Sequence, residues 1–298
     1  MPPNIFPILS VNKFARLLGV PRETLENVAD NFAKLYKPFP KKTGKKPRTI
    51  DNPVEPLKSI QQKINKLIFR NIEFPNFIIG GVKGRNPLEH PMLHINKPVV
   101  ITIDVKDCYH RISNSCIFNI WHKHLQCSHD VAHLATKLTT RAGHLPLGAP
   151  TSNYLANIAL FPCVSKTIAL AEKYGFIGSQ YIDDSAFSGA NLNDSFITEI
   201  IQEFSRQGFK ISRKKIYVMR AGKTQSVTGK IVNAKINCPQ DEKNRIRAAL
   251  FQLSKMDPKD KDYRHSYYSV QGRINNLNQL KCGVADKMRE QLKGLPKP

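Results

Sequence analysis

Three things are scarce in this chain: long apolar runs, paired cysteines and acidic side chains. No stretch of about 18 consecutive apolar residues is present, the length that spans a bilayer. The opening MPPNIFPILSVNKF lacks the basic-then-apolar order of a secretory signal. Neither a membrane span nor export is therefore expected. The six cysteines (Cys108, Cys116, Cys127, Cys163, Cys238 and Cys282) form no C-x-x-C and no paired spacing. That pattern argues against a zinc site or a disulfide scaffold, and for unpaired thiols in a reducing, cytoplasmic compartment. Asp and Glu number 23 against 46 Lys and Arg, a formal net charge of +23. The basic excess is spread from Lys41 to Lys297 and not confined to a tail, so the folded body itself presents a positive surface. Solubility is one use for such a surface; attraction for a polyanion, above all nucleic acid, is the sharper one. A membrane surface is the weaker partner, because no lipid-anchor signal accompanies the charge.

With 298 residues, 41% of them hydrophobic, the chain can bury a core as one large domain or as two to three packed subdomains. Phe14, Leu17 and Leu18 follow a cap candidate, Ser10, and stop at Gly19. After Pro21, the residues Leu25, Val28, Ala29, Phe32, Leu35 and Tyr36 recur at helical spacing. FARLLGVPRETL has the look of a helix-turn-helix, a pattern that any short helical hairpin shares. YKPFPKKTGKKPRTIDNP is a basic stretch whose flanks can pair about a Thr43–Gly44 turn. Leu57, Ile60, Ile64, Leu67 and Ile68 make the core stripe of a further helix. The pattern then changes to a short buried strand, Val99 to Val105, with Asp104 near its end. Helices follow at Asn153–Gly175, across DSFITEIIQEFSRQG to Gly208, and at Asp241–Met256, with strand-like segments between them.

The segment SQYIDDSAFSG sets Asp183 beside Asp184, two carboxylates that repel each other. A solvated turn accommodates such a pair. So does a divalent cation held together with a third carboxylate, and Asp104 is the candidate for that third. Asp104 alone reads equally as a strand end opening to water. Phosphoryl or nucleotidyl transfer asks a protein mainly for positioning and charge neutralisation. Two metal ions about 3.5–4 Å apart supply both, and magnesium needs only two or three carboxylates because it keeps several waters. In GHLPLGAPTSNYLANIAL, Gly148 permits close backbone approach, and Thr151 or Ser152 is placed to cap the helix that follows. That helix start is a suitable floor for a nucleotide or a template strand. Lys45, Lys46 and Arg48 are placed to clamp a triphosphate, or form a solvated charge run.

Taken in order, these segments resemble a reverse transcriptase, most closely the bacterial retron type. YIDD matches the Tyr-x-Asp-Asp box, ITIDVKDCYHRI the strand with the first catalytic aspartate, and LPLGAPTSNYLANIAL the template-contacting loop and helix. RTIDNPVEPLKSIQQKI resembles the fingers segment, GFKISRKKI the segment with a positioned lysine, VTGKIVN the Val-Thr-Gly element, and YYSVQGRINNL the start of the thumb. The likeness runs from about Phe14 to Leu280. It implies an α+β right-hand polymerase: an N-terminal helical segment (1–36), fingers (37–98), a palm of antiparallel sheet backed by helices (99–235), and a small helical thumb (236–298).

By position, the resemblance implies that Asp104, Asp183 and Asp184 hold two magnesium ions. Tyr109 becomes a steric gate excluding a 2′-hydroxyl. Arg48 and Gly148 contact the nucleotide, and Lys215 (or Lys214) assists the leaving pyrophosphate. Tyr181, Thr151 and Ser152 lie along primer and template, while His94, Val227, Thr228 and Gly229 select the RNA. The implied substrates are deoxynucleoside triphosphates and a dedicated structured non-coding RNA, copied from a 2′-hydroxyl primer into a branched, RNA-linked single-stranded DNA. Phage defence with a separate effector protein is the implied setting, since no segment reads as an added nuclease or toxin. The tail residues Tyr263, Arg264, His265, Tyr267, Tyr268 and Arg273 suit thumb contacts to a duplex, or a solvated helix with core tyrosines. Three departures stand out: Leu147 where the family has glutamine, Asn153 where proline is common, and HPMLH, which keeps only His94 of an Asn-Ala-x-x-His element. Other bacterial reverse transcriptases (defence-associated, diversity-generating or intron-derived) and a catalytically silent RNA-binding scaffold are the alternatives.

Overall fold

The computed structural model describes residues 5–43, 46–192, 194–280 and 283–298. Gly44, the Lys45 and Lys46 side chains expected at the triphosphate, and Cys282 lie outside them. Two helices open the chain, α1 (Val11–Leu18) and α2 (Arg22–Asp30). The Ser10 hydroxyl accepts from the Lys13 amide at 3.2 Å, and Gly19 closes α1 in the left-handed region at φ 57°. The expected continuation of α2 to Tyr36 does not occur. The chain tightens into a single 3-10 turn at Phe32–Leu35, and Tyr36 starts strand β1 (Tyr36–Thr43), which pairs antiparallel with β2 (Lys46–Pro53). Helix α3 (Leu57–Leu67) buries Leu57, Ile60 and Ile64, as its spacing predicts. A short turn of helix, α4 (Glu89–Met92), precedes the sheet.

The central sheet has the strand order β4-β5-β3-β6, all antiparallel: β3 (Val99–Asp104), β4 (Ile177–Tyr181), β5 (Asp184–Gly189) and β6 (Tyr217–Arg220). Between β3 and β4 run α5 (Cys108–Arg111), α6 (Asn114–Asn119), α7 (His129–Thr139) and α8 (Ser152–Lys173), and α9 (Asp194–Arg206) follows β5. By length and composition α8 is apolar enough to cross a membrane, a property that a count of consecutive apolar residues misses. Here 56% of its most apolar stretch is buried inside the protein, and it packs against β4 as a core helix. Trp121 is fully buried, 5.3 Å from the Phe69 ring and 6.0 Å from the Phe14 ring, so the N-terminal helices share one interior with the central sheet and its helices.

A small hairpin, β7 (Ser226–Val227) and β8 (Lys230–Ile231), leads to three helices: α10 (Gln240–Lys255), α11 (Tyr263–Asn278) and α12 (Gly283–Lys293). These three bury a second, separate cluster running from Cys238 to Leu292. The structure divides the aromatic tail between interior and surface. Tyr263 and Tyr267 are core residues, whereas Tyr268 is 43% exposed and lies with Lys261, Arg264 and His265 around one surface hollow. Cys108, Cys116, Cys127 and Cys163 are free thiols.

Candidate active site

Sheet register brings the acids together. Asp104, the last residue of β3, faces Asp184, the first residue of β5, and the Val105 amide donates to the Asp183 carbonyl at 3.0 Å. Between Tyr181 and Asp184 the chain reverses through Ile182 at φ 56°, a left-handed conformation that a β-branched residue adopts only under constraint. The constraint is visible. The segment before Gly80 pairs with the end of β4, Gln180 donating to the Phe77 carbonyl at 2.7 Å and Ile79 donating to the Gln180 carbonyl at 2.9 Å. The Gln180 side-chain amide donates to the Ile182 carbonyl and accepts from the Ser185 hydroxyl. A Cβ on Gly80 would lie 2.6 Å from the Ile182 nitrogen, so only glycine lets this segment press on the turn. Gly80→Ala is accordingly expected to cost about 1–3 kcal/mol, read as a lower urea midpoint at unchanged m.

Lys215 reaches the same place from far along the chain. Beyond α9, the Lys106 amide donates to the Lys210 carbonyl at 2.8 Å and the Ser212 amide to the Asp104 carbonyl at 2.9 Å. This lays the 210–215 segment along the end of β3. The Lys215 Nζ then grips both Asp104 carboxylate oxygens, at 2.8 and 2.9 Å. A cleft of about 440 Å³ opens here, lined by Arg48, Asp104, Tyr109, Leu147, Asp183 and Lys215, among others. Asp184, paired with Asp104 across the strands, is not part of that lining. Burial raises the Asp183 carboxyl above its ordinary value, with the Asp104 charge adding to the effect and Arg48 and Lys215 opposing it. Asp184 is pushed up to about 7 by burial, then by the charges of Asp183 and Asp104.

Among the described residues no three His, Cys, Asp or Glu side chains close on one point tightly enough to ligate an ion. In this conformation the cation on Asp104 is the lysine. The donor set still fits magnesium. It offers hard carboxylate oxygens only, from strands in direct register, and it is electrostatically under-compensated, as the raised Asp183 and Asp184 values show.

Residues 39–252 match the family described as Reverse transcriptase (RNA-dependent DNA polymerase). This chain belongs to that reverse transcriptase family. It is 31% identical over 199 residues to the Retron Se72 reverse transcriptase of Salmonella heidelberg, covering 66% of this chain and 52% of that protein. It is 22% identical over 316 residues to the Retron Ec48 reverse transcriptase of Escherichia coli, covering 97% and 76% respectively. For the Retron Ec86 reverse transcriptase of Escherichia coli the figures are 25% over 231 residues, 76% and 71%. The chain spans about half the length of the Se72 relative.

Several side chains expected at this reverse transcriptase's site stand elsewhere. Thr151 and Ser152 are buried, and neither caps α8. Ser152 donates instead to the Pro146 carbonyl at 2.6 Å, folding the preceding loop back on the helix, and the Thr151 hydroxyl has no partner. As buried groups they present no side chain for a template to touch. Gly148 performs as its residue type suggests: φ is 107°, and a Cβ there would meet Ile50 at 2.7 Å. His94 and Val227 are fully buried, so neither presents a side chain to RNA, whereas Thr228 and Gly229 form the exposed β7–β8 turn, both at positive φ. Tyr181 is half-buried with its ring 5.8 Å from that of His90.

His94 belongs to an interior relay. Its Nδ1 lies 2.7 Å from the Ser188 hydroxyl, its Nε2 2.7 Å from the Ser179 hydroxyl, and Ser179 meets His90 Nδ1 at 2.8 Å. The Ser179 hydroxyl has one proton, so it donates to one ring and accepts from the other. Burial pushes both imidazoles down, His90 to about 3 and His94 to about 4, which keeps them neutral at pH 7. The relay ties the 90–94 turn to β4 and β5, the two strands that carry Tyr181 and Asp184.

Asp51 is a functional candidate that the linear pattern hides. It is 3% exposed, ion-paired with Arg141, and its amide donates to the Leu147 carbonyl at 2.8 Å, locking β2 to the loop that carries Gly148. An acid inside so basic a strand was the available signal, just as the doublet Gly80–Gly81 signalled a close approach.

Proposed function

We propose that this chain is an RNA-directed DNA polymerase of the retron type, joining deoxynucleotides to a primer at the cleft between β2 and the β3–β5 edge. The observation that carries the reading is the register of Asp104 opposite Asp184, with Asp183 bonded through its carbonyl to Val105. Asp104, Asp183 and Asp184 would hold two magnesium ions, which when bound neutralise the phosphates and lower the barrier to attack by the primer hydroxyl. The chain's own groups do the remainder. Arg48, exposed at the mouth of the cleft, takes the triphosphate through its planar fork. Tyr109 stands under the sugar and excludes a 2′-hydroxyl. Lys215 releases Asp104 and turns to the leaving pyrophosphate. Tyr181 supports the primer end, and Leu147 offers the nucleotide an apolar contact where an amide would otherwise sit.

The template is a dedicated structured RNA, engaged by the exposed Thr228–Gly229 turn and by the Tyr268, Arg264 and His265 face of the thumb. The product is a single-stranded DNA branched from that RNA, made in the cytoplasm and serving phage defence through a separate effector protein. Primer extension with magnesium on an RNA template tests the polymerase, and a wild-type protein that makes no DNA refutes it. Nucleic acid co-purified from the native host tests the retron assignment, which predicts one RNA species covalently linked to a short DNA. With 6–10 phosphates neutralised, affinity for an RNA–DNA duplex is expected to fall by about 10³–10⁵ between 50 and 200 mM salt, measured by fluorescence anisotropy. A salt-independent affinity would exclude the basic-groove mode.

A further inference from the structure

The Tyr109 hydroxyl donates to Asn153 Oδ1 at 2.9 Å, the one hydrogen bond that phenol makes among the described residues. Asn153 lies in the first turn of α8 and is exposed, so nothing in the core requires an amide there. Its placement is nonetheless built. A Cβ on Gly81, which sits at φ 71°, would lie 2.7 Å from the Asn153 Cβ, so the bare glycine leaves the asparagine its room. The loop carrying Gly81 is fastened to the same helix on both sides of that contact. One turn along α8, Asn157 donates to the Gly80 carbonyl at 2.8 Å, and the Lys83 amide donates to the Tyr154 hydroxyl at 2.8 Å. Gly80 in turn abuts Ile182, next to Asp183. A continuous path of contacts therefore runs from the acidic turn through Gly80 and Gly81 to Asn153 and on to the Tyr109 hydroxyl.

We infer that Asn153 is a specificity-determining positioning residue: it fixes the Tyr109 ring at the depth that admits a deoxyribose and rejects a ribose. This rests on the reading of Tyr109 as the sugar gate. The Tyr109 ring packs against the core on one side, which leaves small excursions about χ1 and χ2 open to it. Accepting its hydroxyl proton at the far end removes that freedom, and the position of the ring face then becomes a property of α8. A proline at 153 suits a helical first turn but supplies no acceptor, so the asparagine is a local device of this chain. Without the bond, a ring free to retreat by a fraction of an ångström gives a 2′-hydroxyl its space while still accepting a deoxyribose.

Single-nucleotide incorporation on a primed RNA, with kcat and KM measured for a dNTP and for the matching rNTP, tests this. Asn153→Ala and Asn153→Pro are each expected to lower the dNTP-over-rNTP ratio of kcat/KM by roughly 3- to 10-fold, chiefly through a lower KM for the rNTP. Tyr109→Phe, which breaks the bond from the other side and keeps the ring, is expected to fall in the same range. Adding Asn153→Ala to Tyr109→Phe is expected to change the ratio no further, as two ends of one interaction require. A merely structural role for Asn153 slows both substrates alike and leaves the ratio within twofold of wild type, and that outcome overturns the inference. So does a ratio that drops further in the double variant. A wild-type protein without dNTP incorporation, or a Tyr109→Ala variant as selective as wild type, removes the polymerase or the gate reading and this inference with it. An intact gate with an indifferent Asn153 removes the inference alone.

Discussion

Asp183→Asn is expected to reduce single-turnover primer extension by about 10²–10³-fold or more while the protein stays folded. The substitution keeps shape and hydrogen-bonding atoms and removes one negative charge from the lining of the cleft. Its backbone role, the carbonyl that accepts from Val105 at 3.0 Å, is untouched, so β3 and β5 keep their register. What is lost, on the proposed reading, is a carboxylate that would hold a magnesium ion against the transferring phosphate, in a partly desolvated pocket where electrostatic terms weigh most. Circular dichroism of the variant separates lost chemistry from lost structure. A variant that extends primers as wild type does would end the assignment of Asp183 to the reaction.

Asp184→Asn is expected to do something different besides: to stabilise the metal-free protein at alkaline pH. Asp184 has its carboxyl raised from 3.8 to about 7, first by burial and then by Asp183 and Asp104. Above pH 7 it is charged in both the folded and the unfolded chain, and the fold carries the whole penalty of burying that charge. As pH falls below 7 the folded protein takes up the proton first, the penalty shrinks, and below the unfolded value near 4 it is gone. Asparagine removes the penalty at every pH. The gain over wild type is therefore on the order of a few kcal/mol at pH 8, vanishing near pH 4. Urea unfolding in EDTA across that range measures it. A gain that grows on acidification would contradict the sign. The neutral histidine relay has the opposite dependence, losing its contribution as pH falls below about 6.5, but it is common to both proteins and cancels in the comparison. The same raised carboxyls are what the proposed magnesium ions would neutralise.

The elements that the chain announces are those whose signal is local. Val99–Asp104 is an apolar run of β-branched residues, Ser10 and Gly19 bracket α1, and the stripe of Leu57, Ile60 and Ile64 repeats at helical spacing. The acids were legible because carboxylates are rare in a chain this basic. Their mutual placement was not, since it depends on which residue of β3 faces which residue of β5. Thr151 and Ser152 illustrate the same limit. Each has a capping side chain at a helix start, yet the Pro146 carbonyl, six residues before Ser152, competes for the Ser152 hydroxyl and wins. His94 looks like a surface recognition residue in one dimension and is an interior one in three, because Ser179 and Ser188 come from strands about 90 residues away. Tyr263, Tyr267 and Tyr268 read alike as letters, and only the packing of α11 against α10 and α12 turns the first two inward and the third out.

The thumb owns its hydrophobic interior, and among the described residues only Leu88 reaches into it from the fingers and palm. A unit sealed in this way can lift from the palm and settle again without laying bare any large oily surface, so travel costs it little more than rim contacts. On the proposed reading, that freedom is what a lengthening RNA–DNA hybrid would ask of it.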